Sequence, residues 1–231
     1  MPDLILIHGA LGAIDQLAPL ATALESVGAV HQVELEGHGS TPSGAPYSSR
    51  GFADNVRALM TEKGIARASV FGYSMGGYVA LTLAAESPAL IARVATLGTK
   101  LAWSPDAAAK ETSRLHAPTI RAKVPRFAEV LESRHVGSGG WEQMLEKTSA
   151  YMTALGARAD LDAASIAGIQ QPTRLMVGDR DNVVTIEETR DAARSMPSGQ
   201  LAVLPNTPHP FEQVRISLLA AHLIEFFNAV D

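Results

Sequence analysis

Along this chain, short unbroken apolar runs alternate with longer stretches in which apolar residues recur every three or four positions. The runs lie near 4–7, 30–35, 68–73, 93–98, 173–178 and 201–205. A strand covered on both faces reads as such a run, so each is a candidate for a buried parallel strand. The periodic stretches predict helices over about 14–27, 49–62, 75–86, 185–196 and 210–229. The last has apolar residues at Phe211, Val214, Leu218, Leu219, Leu223 and Phe226 and opens with Pro210, whose fixed φ suits a first helical turn. Strands alternating with helices predict an α/β fold, with a mostly parallel, doubly wound sheet of about six strands. In such a sheet the functional residues collect at the carboxyl ends of the strands.

One region breaks the alternation. From Leu101 to Gln170 the β-branched runs disappear, and Ala, Glu, Lys, Arg and Leu dominate. Ser104 and Pro105 suit an N-cap and first helical position, Pro118 and Pro125 divide further segments, and Val136-Gly137-Ser138-Gly139-Gly140 is a flexible break. Three or four helices are expected here, forming a cap over residues 101–170 on a core made of 1–100 and 171–231. The segment carries eight basic and eight acidic residues and both tryptophans, Trp103 and Trp141, with Phe127 and Tyr151. These aromatics either form a small core of the cap or face a cleft and shape an apolar pocket.

Composition narrows the function classes. The 231 residues suffice for one domain, or one domain with an insertion, and for a substantial core. A net charge of −5 argues against nucleic acid and anionic membrane as partners. The absence of cysteine excludes disulfides and thiolate metal sites and fits a cytoplasmic protein. The first apolar run is too short for a signal peptide or a membrane span. His31 and His38 do not form a zinc signature, and Gly37-His38-Gly39 lacks the third glycine of a phosphate-binding loop. His116, His135 and His222 lie on expected helices without a second ligand at metal spacing, so surface or packing roles are expected for them. No metal and no organic cofactor are expected.

The candidate chemistry centres on Gly72-Tyr73-Ser74-Met75-Gly76, between the run Ala68-Ser69-Val70-Phe71 and a helix-forming stretch. A strand, a sharp turn and a helix with serine at the apex make a nucleophile elbow. The serine hydroxyl would stand above the sheet, and the amide of Met75 at the helix start could stabilise an oxyanion. Leu4-Ile5-Leu6-Ile7 runs into His8-Gly9-Ala10-Leu11-Gly12, Thr173–Val177 into Gly178-Asp179-Arg180-Asp181, and Leu201–Pro205 into Asn206-Thr207-Pro208-His209.

These segments, with Glu34-Leu35-Glu36-Gly37-His38-Gly39-Ser40-Thr41, resemble in order and spacing the α/β-hydrolase family over nearly the whole chain. The resemblance implies a Ser74, Asp181, His209 triad, in the order Ser…Asp…His that this fold uses. It implies an oxyanion hole from the amides of Ala10 and Met75, and a His8 that holds its loop in place. Asp181 is preferred to Asp179 because relatives carry the acid three residues after the glycine; Asp179 then serves the turn. His209, just before an expected helix, would be kept neutral by that helix's dipole. Leu11, Tyr73, Trp103 and Trp141 are the candidate substrate contacts. Serine rather than aspartate at the elbow argues against the epoxide hydrolases and dehalogenases similar to this family.

The expected activity is therefore a cofactor-free serine hydrolase acting on a small-molecule carboxylic ester, lactone or thioester. A carbon–carbon bond hydrolase or lyase of the same fold is the enzymatic alternative, and a slow-turnover ligand receptor with a retained triad is the non-enzymatic one. Family members usually have two strands before the His-Gly strand, and only Met1, Pro2 and Asp3 precede it here. Six parallel strands are thus expected, with 30–35 at an edge covered by a partner subunit, as in a homodimer, or by the loop 40–50.

Overall fold

The computed structural model describes residues 3–229. Its core is one sheet of six parallel strands: β1 (Asp3–Ile7), β2 (Val30–Val33), β3 (Ala68–Tyr73), β4 (Ile91–Leu97), β5 (Thr173–Gly178) and β6 (Gly199–Leu204). They are ordered β2-β1-β3-β4-β5-β6, each paired in parallel with its neighbours. Because side chains alternate across a strand, β1 feeds two layers. Ile5 and Ile7 join the apolar cluster beneath α2 (Ser49–Lys63), α3 (Met75–Glu86) and α9 (Ile186–Ser195). Leu4 and Leu6 join the cluster on the other face, with α1 (Ile14–Ala23) and α10 (Ile216–Phe227). Helix α3 lies deepest. All its residues from Met75 to Ala84 are buried, which explains why its sequence is apolar on every side.

Beyond shifts of one or two residues at strand ends, three elements differ from the sequence reading. Strand β2 stops at Val33 because the next residues spend their polar groups elsewhere. The Leu35 amide donates to His8 Nε2 at 3.1 Å, and the Glu34 carboxylate accepts the amide and hydroxyl of Ser40. This edge strand is only four residues long, with Val30, His31 and Gln32 half-buried and, among the described residues, no strand beyond it; a short edge limits unwanted pairing. Helix α1 ends at Ala23, and a 3-10 turn over Glu25–Val27 completes the expected span. Pro210 does not open the last helix. It precedes a 3-10 turn at Phe211–Gln213, and α10 begins at Ile216.

Between β4 and β5 the chain forms five helices rather than three or four: α4 (Pro105–Thr112), α5 (Ala117–Lys123), α6 (Pro125–Arg134), α7 (Trp141–Ala157) and α8 (Ala163–Ala167). Ser104 caps α4 by accepting the Ala107 amide, with Pro105 as its first residue. Pro125, which has no N–H to offer, separates α5 from α6 after the single residue Val124. Gly139 and Gly140 carry φ of 97° and 96° and turn the chain into α7. The segment is fastened in two ways. Tyr151 and Leu155 of α7 enter the large core beneath α3, while Ile120, Ala128, Leu131, Trp141, Met144 and Leu145 make a small core of their own.

Candidate active site

Ser74 lies between β3 and α3 with φ 51° and ψ −116°, a strained conformation for a residue with a side chain. Its amide donates to Leu97 O at 2.8 Å, and its carbonyl accepts from Gly77 and Tyr78. Such a turn is held only if its neighbours are small. A Cβ on Gly76 would stand 2.3 Å from Ile7 O and 2.5 Å from His8 O, so the helix start can lie against the end of β1 only with glycine there.

From this turn three side chains are bonded in series. Ser74 Oγ lies 3.2 Å from His209 Nε2, and His209 Nδ1 lies 2.8 Å from Asp181 Oδ2. Oδ1 of Asp181 accepts the amides of Val183 and Val184, both at 2.8 Å. The Asp181 side chain is 2% exposed. Burial alone would raise its pKa, but the His209 ring and the two amides outweigh burial and hold the carboxyl below its usual range. Asp179 does not bond the ring; it accepts the Thr207 amide at 3.1 Å, bracing the loop that carries His209. Only a three-residue 3-10 turn follows His209, not the expected helix, so no helix dipole of consequence acts on the ring.

The loop after β1 presses against the elbow. A Cβ on Gly9 would meet the Tyr73 ring at 2.7 Å and Ser74 Cβ at 3.4 Å. Ala10 follows Gly9, and Met75 opens α3, where the first amides have no partner within the helix. Both line one cavity with Ser74 and His209.

Three buried imidazoles lie behind the loop, with ring centroids 5.1 Å apart for His8 and His38 and 5.9 Å for His38 and His135. For His8 and His135 the backbone partners fix the protons. His8 accepts from Leu35 N and so donates from Nδ1 to Gly9 O at 2.8 Å. Both His38 nitrogens face carbonyls, Nε2 at 2.7 Å from Ala10 O and Nδ1 at 3.1 Å from Glu36 O, and the neutral ring donates to one of them. His135 accepts the Gly39 amide at Nδ1, 3.0 Å away, and donates from Nε2 to Leu11 O at 3.3 Å. Burial lowers the pKa of all three: His8 well below its ordinary value, aided by His38, and His135 to about 4. They remain neutral at physiological pH. His135 is thus neither on the surface nor mere packing, contrary to the sequence reading. Its partners lie 96 and 124 residues away, and no local pattern announces them.

The cavity has a volume of about 720 Å³ and lies between the strand ends and the inserted helices. Its floor holds Ser74, His209 and Ala10; its walls include Leu11, Trp103, Tyr151 and Leu155, and Val124, Phe127 and Val130 line it from the exposed side of the α5–α6 region. Tyr73 touches the cavity but is otherwise buried, and its hydroxyl donates to His209 O at 2.7 Å, which makes it a support for the histidine loop. Trp141, expected among the substrate contacts, is not on the wall. Its ring is 2% exposed in the small core between α5, α6 and α7, with the Arg121 guanidinium 4.8 Å over it. Among the described residues no cluster of acids and histidines could hold a metal ion, and no helix is long and apolar enough to cross a membrane.

Comparison with known proteins supplies the context. A profile of the alpha/beta hydrolase family matches residues 4–215. A pimeloyl-[acyl-carrier protein] methyl ester esterase of Chromobacterium violaceum is 30% identical, over 96% of this chain and 94% of that protein. Among solved structures, an enol-lactonase from Burkholderia xenovorans superposes with a TM-score of 0.80 at 22% identity, covering 99% of this chain and 92% of the other. A 2-hydroxy-6-oxo-6-phenylhexa-2,4-dienoate hydrolase from a Rhodococcus species also gives 0.80, at 20% identity over 99% and 91%. At such identities the two structures speak for the fold alone.

Proposed function

Because the chain belongs to the α/β hydrolase family and is a hydrolase, we propose that it cleaves a small carboxylic ester by a serine mechanism. The observation that carries this reading is the bonded series Ser74–His209–Asp181 on the floor of an apolar cavity. Serine is a weak nucleophile at its own pKa and needs a base within reach. His209 Nε2 takes the Ser74 proton as Oγ attacks the ester carbonyl and then delivers it to the leaving alcohol. Asp181 keeps the other ring proton on Nδ1 and stabilises the imidazolium as it forms. The amides of Ala10 and Met75 receive the oxyanion, an effect worth about 3–4 kcal/mol for each donor in a dry site. Water then repeats the sequence on the acyl-enzyme.

The apolar walls favour a hydrocarbon acyl or alcohol part, and the volume is ordinary for a pocket that encloses a small molecule. The esterase name of the 30% identical relative supports an ester over other bonds. Lactones and thioesters suit the same steps.

The test is turnover of p-nitrophenyl esters of rising acyl length beside one diketone carbon–carbon substrate. A burst of p-nitrophenol followed by steady turnover is expected, lowered about 10⁴-fold or more in Ser74→Ala. Cleavage of the diketone without cleavage of any ester would replace this reading with a carbon–carbon hydrolase. Ligand-induced stabilisation with negligible turnover would make the protein a receptor.

A further inference from the structure

Three successive carbonyls of the loop after β1 each face a buried side chain. Gly9 O accepts from His8 Nδ1 at 2.8 Å, Ala10 O lies 2.7 Å from His38 Nε2, and Leu11 O accepts from His135 Nε2 at 3.3 Å and Arg134 Nη1 at 3.1 Å. In a trans peptide the C=O of one residue and the N–H of the next point in opposite directions. The chain has no cis peptide among its described residues. Holding a carbonyl therefore aims the following amide. Holding Leu11 O aims the Gly12 amide, which donates to Gly9 O at 3.1 Å. Gly9 O shares its peptide plane with the Ala10 N–H.

We propose that His135, 124 residues from Leu11 in sequence and carried at the end of α6, is a positioning residue for the oxyanion loop. Its grip on Leu11 O reaches the Ala10 amide through one intervening bond. The inference rests on the reading of Ala10 as an oxyanion donor, and it adds a role for the inserted helices. They cover the cavity and also set the direction of a backbone donor on its floor. His135 makes two bonds, and only one bears on the loop. The other, from Gly39 N to Nδ1, ties down the segment after β2. A structural role alone would rest on either bond or both, whereas positioning rests on Nε2.

Two variants separate the bonds, because an asparagine carbonyl takes the place of Nδ1 and a glutamine amide takes the place of Nε2. His135→Asn keeps the Gly39 bond and loses Leu11; His135→Gln does the reverse. Each retains one partner, and melting curves check that both fold. With p-nitrophenyl esters, His135→Asn should lower kcat about tenfold with KM within about twofold. The loss stops short of that for a deleted oxyanion donor because Arg134 still holds Leu11 O. His135→Gln should stay within about threefold of the native kcat. In amide exchange measured by NMR, Gly12 should lose protection in the asparagine variant and keep it in the glutamine variant. Equal kcat in the two, or a slower glutamine variant, would overturn the proposal and leave His135 as a tether for Gly39. If the native protein cleaves no ester of the series, the proposed function fails while the exchange comparison still decides whether His135 orders the loop.

Discussion

The three buried imidazoles make the stability of this protein steeply dependent on pH below neutrality. His8, His38 and His135 are fully buried and neutral, each with its pKa depressed by burial. Unfolding releases them to an ordinary imidazole pKa near 6.5. Below that value the unfolded chain binds protons that the folded chain refuses, so stability falls as pH falls. Their contribution is present in full above about pH 6.5 and is lost progressively beneath it. Each such proton is worth about 1.4 kcal/mol per pH unit, and the three act with the same sign. For His135 the loss continues until its folded pKa of about 4, a total of roughly 3 kcal/mol.

Small domains are stable by about 5–15 kcal/mol, so the His135 share alone is a sizeable part of the total. The depressed carboxyls, Asp181 among them, act with the same sign but only once pH enters the carboxylate range, below this window. Urea unfolding at fixed ionic strength, from about pH 7.5 to about pH 5, measures the slope directly. His135→Gln, which removes one of the three titrating groups, should make it shallower by roughly 1 kcal/mol per unit near pH 5.5. Equal slopes in the native protein and the His135→Gln variant would refute the claim that the fold holds His135 neutral.

Two further outcomes are expected. Asp181→Asn should preserve the fold yet lower kcat about 10⁴-fold: the Val183 and Val184 amides will hold the amide oxygen, its NH₂ then faces His209 Nδ1, and the ring proton is driven onto Nε2, which must accept from Ser74. Asp179→Asn, whose carboxylate meets only the Thr207 amide and Arg180, should change kcat by less than about tenfold; the reverse order in steady-state kinetics would transfer the triad acid to Asp179. Trp141→Ala should cost about 3–5 kcal/mol in urea unfolding with KM nearly unchanged, whereas Trp103→Ala should chiefly raise KM; a raised KM in the Trp141 variant would return that ring to the cavity wall.

Most of the sheet was legible because a strand buried on both faces has one reading. The spans 68–73 and 173–178 agree with β3 and β5, and the turns after them carry Ser74 and Asp181. What failed was set by contacts distant in sequence. Nothing within 30–35 reveals that the Leu35 amide leaves the ladder for the ring of His8. Apolar spacing continues from Phe211 to Phe226, but Val214 and Arg215 are extended, and the periodicity bridges two elements. Spacing could not divide the tryptophans either. Trp103 follows the Leu101 and Ala102 amides that Glu188 holds, which keeps it beside the strand ends, while Trp141 opens α7 against α5 and α6.

The inserted helices are attached by two kinds of force, and the choice between them follows what each place must do. Where α7 only has to stay on the sheet, Tyr151 and Leu155 join the large apolar core, a contact that is strong but has no preferred direction. Where α6 meets the loop of Ala10 and Leu11, apolar burial would hold the helix there without aiming anything. The chain instead places Arg134 and His135 at that joint, the first spanning Leu11 O, Asp15 and Glu212, the second spanning Leu11 O and Gly39 N. Hydrogen bonds weaken steeply with angle, so they transmit orientation as well as proximity. The cost is the desolvation of neutral imidazoles that must not be protonated, and the acid sensitivity follows from it. The same rings that fix the loop's peptide planes thereby make the fold lose stability as the pH falls below neutrality.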